Sequence, residues 1–153
     1  MTPNPIHILI KRVRPGFEDL PLPQPATQFS AGCDLRAAVE TAIELPPMGR
    51  ALVPTSFAIA IPNGFEGQVR PRSGLALKSG ISIPNTPGTI DSDYRGELQV
   101  IVINLGSEPF TIHRGDRIAQ LLITPVYRPT FVEVEELPDS ERGEGGFGHT
   151  GKH

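Results

Sequence analysis

Short apolar runs separated by turn-forming residues dominate this sequence and restrict it to a fold built from β-strands. The 153 residues include 16 glycines and 17 prolines, and no stretch keeps a sustained helical period. Proline disfavours long helices because it lacks a backbone N–H and clashes with the preceding turn. Short strands at fairly regular spacing are typical of a β-sandwich or barrel. Strands are predicted at 6–13, 57–61, 99–104, 118–126 and 131–134.

The length suits one domain with a substantial core. A single short helix is predicted at 74–78, with Ser73 as its N-cap, because a serine hydroxyl accepts a hydrogen bond from the free N–H groups of a first turn. Beyond Pro138 the alternating apolar pattern stops and the composition becomes charged and glycine-rich, with Phe147 as the one apolar anchor. We therefore predict a β-domain over 1–137 and a flexible arm over 138–153.

Charge and cysteine content exclude several classes of protein. A formal net charge of −3 argues against a general nucleic-acid binder. Cys33 is the only cysteine, so no internal disulfide can form. No signal segment and no apolar run of membrane-spanning length is present, which predicts a cytoplasmic protein without a membrane partner.

The segment 85–97 carries the densest set of reactive side chains. It places Asp91, Asp93 and Tyr94 close together between a Pro-Gly turn and a strand-like run, which predicts a β-hairpin. Alternate strand residues share a face, so the two acids are expected on one face, with Tyr94 turned away or re-aimed by a local kink. With the amide of Asn85, such a hairpin could hold a small polar ring compound; a solvated surface turn is the alternative.

Other segments could bind an anion. Arg72 precedes a serine and a glycine, a combination that either grips phosphate oxygens or forms an ordinary helix cap. Asp34 interrupts an apolar segment and either anchors an arginine or serves a metal shell. Gln120, in an apolar strand, is either a partnered structural amide or a residue facing a site. Arg142 and Phe147 belong either to a disordered tail or to an arm that closes over a ligand.

Five segments, in this order along the chain, resemble the motifs of the trimeric dUTPases (deoxyuridine triphosphate pyrophosphatases). They are residues 31–37, 71–76, 85–97, 114–120 and 142–148.

The resemblance covers nearly the whole chain and implies a homotrimer of distorted β-barrel or jelly-roll subunits with shared sites at subunit interfaces. The implied reaction converts dUTP and water to dUMP and pyrophosphate, which keeps uracil out of DNA and supplies dUMP for thymidylate synthesis. Asp91 is the implied general base. Mg²⁺ would be held mainly by the three phosphates, with Asp34 and Gln120 reaching it only through water.

The resemblance also implies which residues bind the substrate. Asn85 and the neighbouring backbone would recognise uracil, Tyr94 would exclude a 2′-hydroxyl, and Phe147 would stack on the base. His149 stands where many members have serine or threonine, which could add pH dependence. The implied substrate-binding residues are Arg72, Ser73, Gly74, Asn85, Gly88, Thr89, Ile90, Tyr94, Gln120, Arg142, Phe147 and Gly148.

Two other functions fit the same fold. A dCTP deaminase generally lacks the phenylalanine-bearing tail and uses a glutamate as its central acid, where this chain has Asp91. A non-catalytic nucleotide-binding protein is the second alternative, and it would be favoured if Asp91 or the tail were missing.

Overall fold

The computed structural model describes residues 6–146, and this part of the chain is almost entirely β. Ten strands and one short helix follow one another within it. No helix among these residues is long and apolar enough to cross a membrane. The elements are β1 (Leu9–Arg12), β2 (Cys33–Arg36), β3 (Ile43–Leu45), β4 (Arg50–Ala60), β5 (Phe65–Arg70), α1 (Ser73–Ser79), β6 (Ile81–Ser82), β7 (Gly88–Ile90), β8 (Glu97–Asn104), β9 (Phe110–Ile112) and β10 (Arg117–Pro125).

The strands form two four-stranded sheets and a two-stranded ribbon. The sheet orders are β1-β4-β8-β6 and β2-β10-β5-β7, and β3 pairs with β9. All pairs are antiparallel. Because no two consecutive strands belong to the same sheet, the chain passes back and forth between the sheets. This confirms the prediction of an all-β fold with the architecture of a distorted jelly roll.

The core lies between the inner faces of the two sheets. On β8, Leu98, Val100 and Val102 are buried while Ile101 is exposed, as expected when successive side chains point to opposite faces. Each such burial stabilises the fold by about 1.5–3 kcal/mol. The buried Asn104 at the end of β8 donates to two carbonyl oxygens and accepts the Gly106 N–H, so its polar atoms are all hydrogen-bonded.

The last of the five strands predicted from the sequence, at 131–134, is wrong. Within residues 6–146, the last strand ends at Pro125, and the side chains of Phe131 and Val132 are 91% and 77% exposed. The local alternation suits a strand, but the described residues offer it no partner to complete the backbone hydrogen bonds. The β pattern therefore stops about a dozen residues before the end of the predicted domain.

The predicted helix is present and extends from Ser73 to Ser79. Its predicted cap is wrong, because Arg72 occupies the N-cap position with extended backbone, and no side chain caps the helix. Ser73 is instead the first helical residue. The helix ends at Ser79. The next residue, Gly80, has a left-handed conformation (φ 68°) and donates its N–H to the Ala76 carbonyl oxygen.

Candidate functional site

The segment 85–97 does not form the predicted hairpin. β7 pairs with β5, whereas β8 pairs with β4 and β6, so the two strands lie in different sheets. Between them, a turn in which the Tyr94 N–H donates to the Asp91 carbonyl oxygen over 3.1 Å redirects the chain. A turn was predicted at Pro87-Gly88, but Gly88 already belongs to β7, and residues 91–94 form the turn between the two strands. The strand partners lie far away in sequence and left no local signal.

Six of the residues predicted to bind substrate or act in catalysis line one cleft of about 280 Å³, which we call the Asp91 cleft. Gly88 allows its close packing, because a Cβ at this position would lie 3.1 Å from the Asn85 amide nitrogen. Glu97, Gln99 and the exposed faces of β4 and β8 complete its walls. The six predicted residues are Asn85, Gly88, Thr89, Ile90, Asp91 and Tyr94.

Tyr94 faces the same cleft as Asp91, so the expectation that it turns away from the acids is wrong and the alternative of a local kink is correct. Its phenol O–H donates to the Glu97 carbonyl oxygen over 3.0 Å. The ring lies against Gly96, where a Cβ would collide with it. Asp93 does not line the Asp91 cleft, but it lines another surface depression together with Asp91 and Arg128. Both carboxylates therefore border this depression, and only Asp91 also lines the cleft.

The phosphate-binding candidates meet in a second depression of about 340 Å³, which we call the Arg72 pocket. Asp34 accepts hydrogen bonds there from Arg72 (3.0 Å) and Arg117 (3.2 Å) through separate carboxylate oxygens. The Asp34 side chain is 24% exposed, so the two ion pairs remain in contact with solvent. This confirms the predicted role of Asp34 as an arginine anchor. The pocket is lined by Ala26, Ser30, Ala31, Gly32, Asp34, Arg72, Ser73, Gly74, Arg117 and Gln120.

Gln120 lies directly opposite Asp34 across the β10–β2 pair, which puts both side chains on one face. Its Nε2 donates to the Pro71 carbonyl oxygen over 2.9 Å. Its Oε1 extends over Gly32, where a Cβ would lie only 2.5 Å away. Gln120 is therefore both a partnered amide and a site-lining residue, and Gly32 makes room for it.

Arg117 and Ser30 were missed as site residues. Arg117 follows a glycine and an aspartate in the turn before β10, and its place within a matched motif was the available signal. Ser30 ends a proline-rich segment without periodicity, which offered no signal at all. The neighbouring Cys33 is partly buried, and burial, together with the Asp34 charge, raises the pKa of its thiol.

The Asp91 cleft and the Arg72 pocket, as the described residues form them, share no lining residue. No group of three or more histidine, cysteine or acidic side chains among residues 6–146 is arranged to hold a metal ion. The exposed Arg142 donates to the nearby Gly145 carbonyl oxygen in a local turn and joins neither cavity. Phe147, Gly148 and His149 lie outside the described residues.

Known proteins match this chain over most of its length. The family model described as dUTPase matches residues 18–151. The deoxyuridine 5'-triphosphate nucleotidohydrolase of Wolbachia sp. subsp. Brugia malayi is 56% identical over 151 residues, covering 97% of this chain and 96% of that protein. A mutant dUTPase of Staphylococcus bacteriophage 80alpha, solved with dUpNHpp, is 28% identical with a TM-score of 0.84, covering 95% of this chain and 98% of that chain.

A mutant dUTPase from phage phi11 of S. aureus, whose structure reveals the coordination of a structural Mg(II) ion, shares the same fold. It is 24% identical with a TM-score of 0.76, covering 87% of this chain and 99% of that chain.

Proposed function

The chain belongs to the dUTPase family, and we propose that it hydrolyses dUTP to dUMP and pyrophosphate with Asp91 as general base. The observation that carries this proposal is the convergence of Asp91, Asn85 and Tyr94 on one cleft. A carboxylate, an amide and an aromatic ring around one small cavity match the needs of a pyrimidine deoxynucleoside and an attacking water.

In the proposed reaction, the Asp91 carboxylate accepts a hydrogen bond from a water molecule and takes its proton. The water oxygen forms a bond to the α-phosphorus while the bond from that phosphorus to the bridging oxygen of the β-phosphate breaks. The electron pair of that bond leaves with pyrophosphate. Orientation of the water and removal of its proton both lower the barrier.

Asn85 and the backbone of residues 88–90 would hydrogen-bond the uracil edge. A site built from hydrogen bonds rejects an analogue that leaves its groups unpaired, which would exclude cytosine. Tyr94 would pack against the deoxyribose and leave no room for a 2′-hydroxyl. Selectivity for base and sugar would therefore come from one continuous segment of the chain.

The Arg72 pocket would hold the phosphate chain. Asp34 fixes Nε of Arg72 and Nη1 of Arg117, and Nη1 of Arg72 also donates to the Arg117 carbonyl oxygen over 3.3 Å. Within the described residues, this leaves Nη2 of both arginines available to bind phosphate oxygens. Ser73 and Gly74, at the start of α1, would add a hydroxyl and backbone N–H groups. Because the arginines are already held, less side-chain entropy would be lost on binding.

Asp34 and Gln120 carry carboxylate and amide oxygens, the kind of ligand atom that Mg²⁺ binds. The pocket therefore suits a magnesium–triphosphate complex. We propose that both residues reach the ion through water only. When bound, the ion neutralises phosphate charge and favours departure of pyrophosphate.

We propose that three subunits assemble and that each complete site takes its Asp91 cleft and its Arg72 pocket from different chains. Two features support this: the cavities are separate in one chain, and Leu52 and Ile101, paired beside the Asp91 cleft, are 54% and 38% exposed. Residues 1–137 would form the barrel, and the arm 138–153 would close over the site with Arg142, Phe147 and Gly148. We retain a cytoplasmic location, where nucleotide precursors are used.

Product analysis of the purified chain with dUTP, dCTP and UTP in separate Mg²⁺ reactions tests the proposal. The expected result is dUMP and pyrophosphate from dUTP alone. Ammonia released from dCTP would instead identify a deaminase. Tight dUTP binding without any product would identify a nucleotide-binding protein that lacks catalysis.

A further inference from the structure

Tyr94 is held in place by a network of residues that begins at Glu97, in the wall of the Asp91 cleft, and extends to two other segments of the chain. The acceptor of its phenol hydrogen bond is the backbone carbonyl of Glu97. The Glu97 side chain is only 14% exposed and belongs to the wall of the Asp91 cleft. Contacts that hold Glu97 in place therefore also hold the backbone carbonyl to which the Tyr94 phenol is bound, and so orient the Tyr94 ring.

Three groups donate to the Glu97 carboxylate. Two of them, Arg14 and Ser56, do so at shorter distances than the Gln99 side-chain amide, which lies 3.4 Å from Oε2. Arg14 donates its Nε–H to both carboxylate oxygens, at 2.7 and 2.9 Å. The backbone N–H of Ser56 donates to Oε1 over 2.9 Å. A carboxylate that accepts a charged donor and a backbone donor on the same side has little freedom to rotate.

The Ser56 N–H reaches Glu97 because β4 is irregular at this point. Its register against β8 shifts between Pro54 and Ala58, and within this bulge Ser56 adopts a left-handed conformation (φ 68°) while fully buried. A serine in this conformation is strained, and such strain persists only where its surroundings impose it. The bulge also lets the Thr55 hydroxyl donate to the Leu98 carbonyl oxygen over 2.7 Å, which fixes the residue after Glu97.

The same bulge fixes the arginine. Ser56 accepts a hydrogen bond from the Val13 N–H at its carbonyl oxygen, and its hydroxyl donates to the Arg14 carbonyl oxygen. Three separate segments, just after β1, within β4 and at the start of β8, therefore meet at Glu97. A single surface ion pair needs only two charged side chains, whereas here the backbone of a third segment also binds the carboxylate.

We propose that Arg14, Glu97 and the Ser56 bulge form a positioning network that holds Tyr94 against the sugar and so sets discrimination against a 2′-hydroxyl. This rests on the proposed function of Tyr94. A phenol held through the Glu97 carbonyl cannot swing aside to admit a ribose. If the carboxylate is released, the turn and its ring gain freedom, and UTP becomes a better substrate relative to dUTP.

The test compares kcat/KM for dUTP with kcat/KM for UTP in the full chain with Mg²⁺. Glu97→Gln and Arg14→Gln should each lower the dUTP preference by roughly five- to tenfold, a loss expected for one orienting hydrogen bond. Tyr94→Phe should have a similar effect, and adding Glu97→Gln to it should lower the preference no further. Arg14→Lys should recover part of the preference. Asp19→Asn, which removes the ion pair with Arg114 on another loop, is the matched control and should leave the ratio unchanged.

A purely structural defect would lower turnover of both substrates together and leave their ratio unchanged. Arg14 is 43% exposed, so its replacement tests the network even where Glu97→Gln fails to fold. If Tyr94→Ala lowers the dUTP preference but the Arg14 and Glu97 variants do not, the network is refuted and the role of Tyr94 stands. If Tyr94→Ala leaves the preference unchanged, the proposed sugar contact fails and the network falls with it.

Discussion

Gln120 donates an Nε2 hydrogen to the Pro71 carbonyl oxygen over 2.9 Å, and this bond joins the middle of β10 to the residue directly before Arg72. The contact links the two motifs proposed to bind phosphate. The hydrogen bond therefore contributes to both the fold and the proposed site, because it fixes the position of Arg72 relative to the strand that carries Gln120.

Replacing Gln120 with leucine should affect both stability and binding. The substitution removes the donor and leaves the Pro71 carbonyl oxygen without this partner, so the free energy of unfolding should fall by about 1 kcal/mol. The KM for dUTP should rise because Arg72 loses its support. Urea denaturation and steady-state kinetics measure the two effects. An unchanged KM with lowered stability would make Gln120 purely structural.

Asp91→Asn should abolish most turnover while nucleotide binding persists. Asparagine has nearly the same shape but cannot accept the proton of the attacking water, so kcat should fall by about 10²- to 10⁴-fold. Calorimetric titration with an imido analogue of dUTP should give a Kd close to that of the unmodified chain. The control is Asp93→Asn, since Asp93 does not line the Asp91 cleft. Near-normal turnover of Asp91→Asn would eliminate it as the base.

The residues of the Asp91 cleft were predictable because most are neighbours in sequence. Asn85, Asp91 and Tyr94 lie within one short segment, so its composition alone indicated a pocket. The pairing of that segment was not predictable, because β7 finds its partner in β5, about twenty residues earlier. Turn residues specify where a chain bends, whereas packing elsewhere in the molecule decides which strand it joins.

The positioning network that holds Tyr94 could not be predicted from the sequence. Nothing in the run around Ser56 indicates a left-handed residue, because serine in a strand-like segment predicts regular backbone. Its partners Arg14 and Glu97 are 83 residues apart, and such a pair becomes visible only once the two sheets have formed. Asp34, in contrast, was predicted either to anchor an arginine or to serve a metal shell, since a carboxylate within an apolar segment needs a partner, and the arginine contacts are observed.

Ile101→Lys should disrupt the proposed trimer. Ile101 is paired with Leu52 on the outer face of its sheet, where a lysine is tolerated in an isolated subunit but is costly in an apolar interface. Analytical ultracentrifugation should show monomers. Activity should fall as well, both because separate half-sites cannot combine and because Ile101 lines the Asp91 cleft, so the oligomeric state is the deciding measurement. Leu98→Ala is the contrasting variant: it should cost about 2–5 kcal/mol of stability through a core cavity. If the Ile101→Lys variant stays trimeric and active, the subunit interface lies on another surface of the chain.

The Cys33 thiol should react slowly with alkylating reagents. Burial, and to a lesser extent the Asp34 charge, raises its pKa, so a smaller fraction is thiolate at pH 8 than in a free cysteine. The proton is bound more tightly in the folded state, so this contribution to stability is present at neutral pH and is lost as pH rises through the raised pKa. The rate of iodoacetamide modification against pH, followed by mass spectrometry, should have a higher midpoint than in the urea-unfolded chain. Equal midpoints would contradict the burial effect.

A chain that ends at Glu141 should fold normally but turn over poorly. Within residues 6–146, no strand follows Pro125, and Arg142 makes only a local hydrogen bond, so the deletion removes no core contact that the structure describes. The midpoint of thermal unfolding should therefore be nearly unchanged. Loss of Arg142 and Phe147 would remove an anion contact and a stacking group from the closed site, so kcat/KM for dUTP should drop severely. Phe147→Ala in the full chain should reproduce part of that loss, whereas disappearance of the thermal transition on truncation would show that the arm is structural.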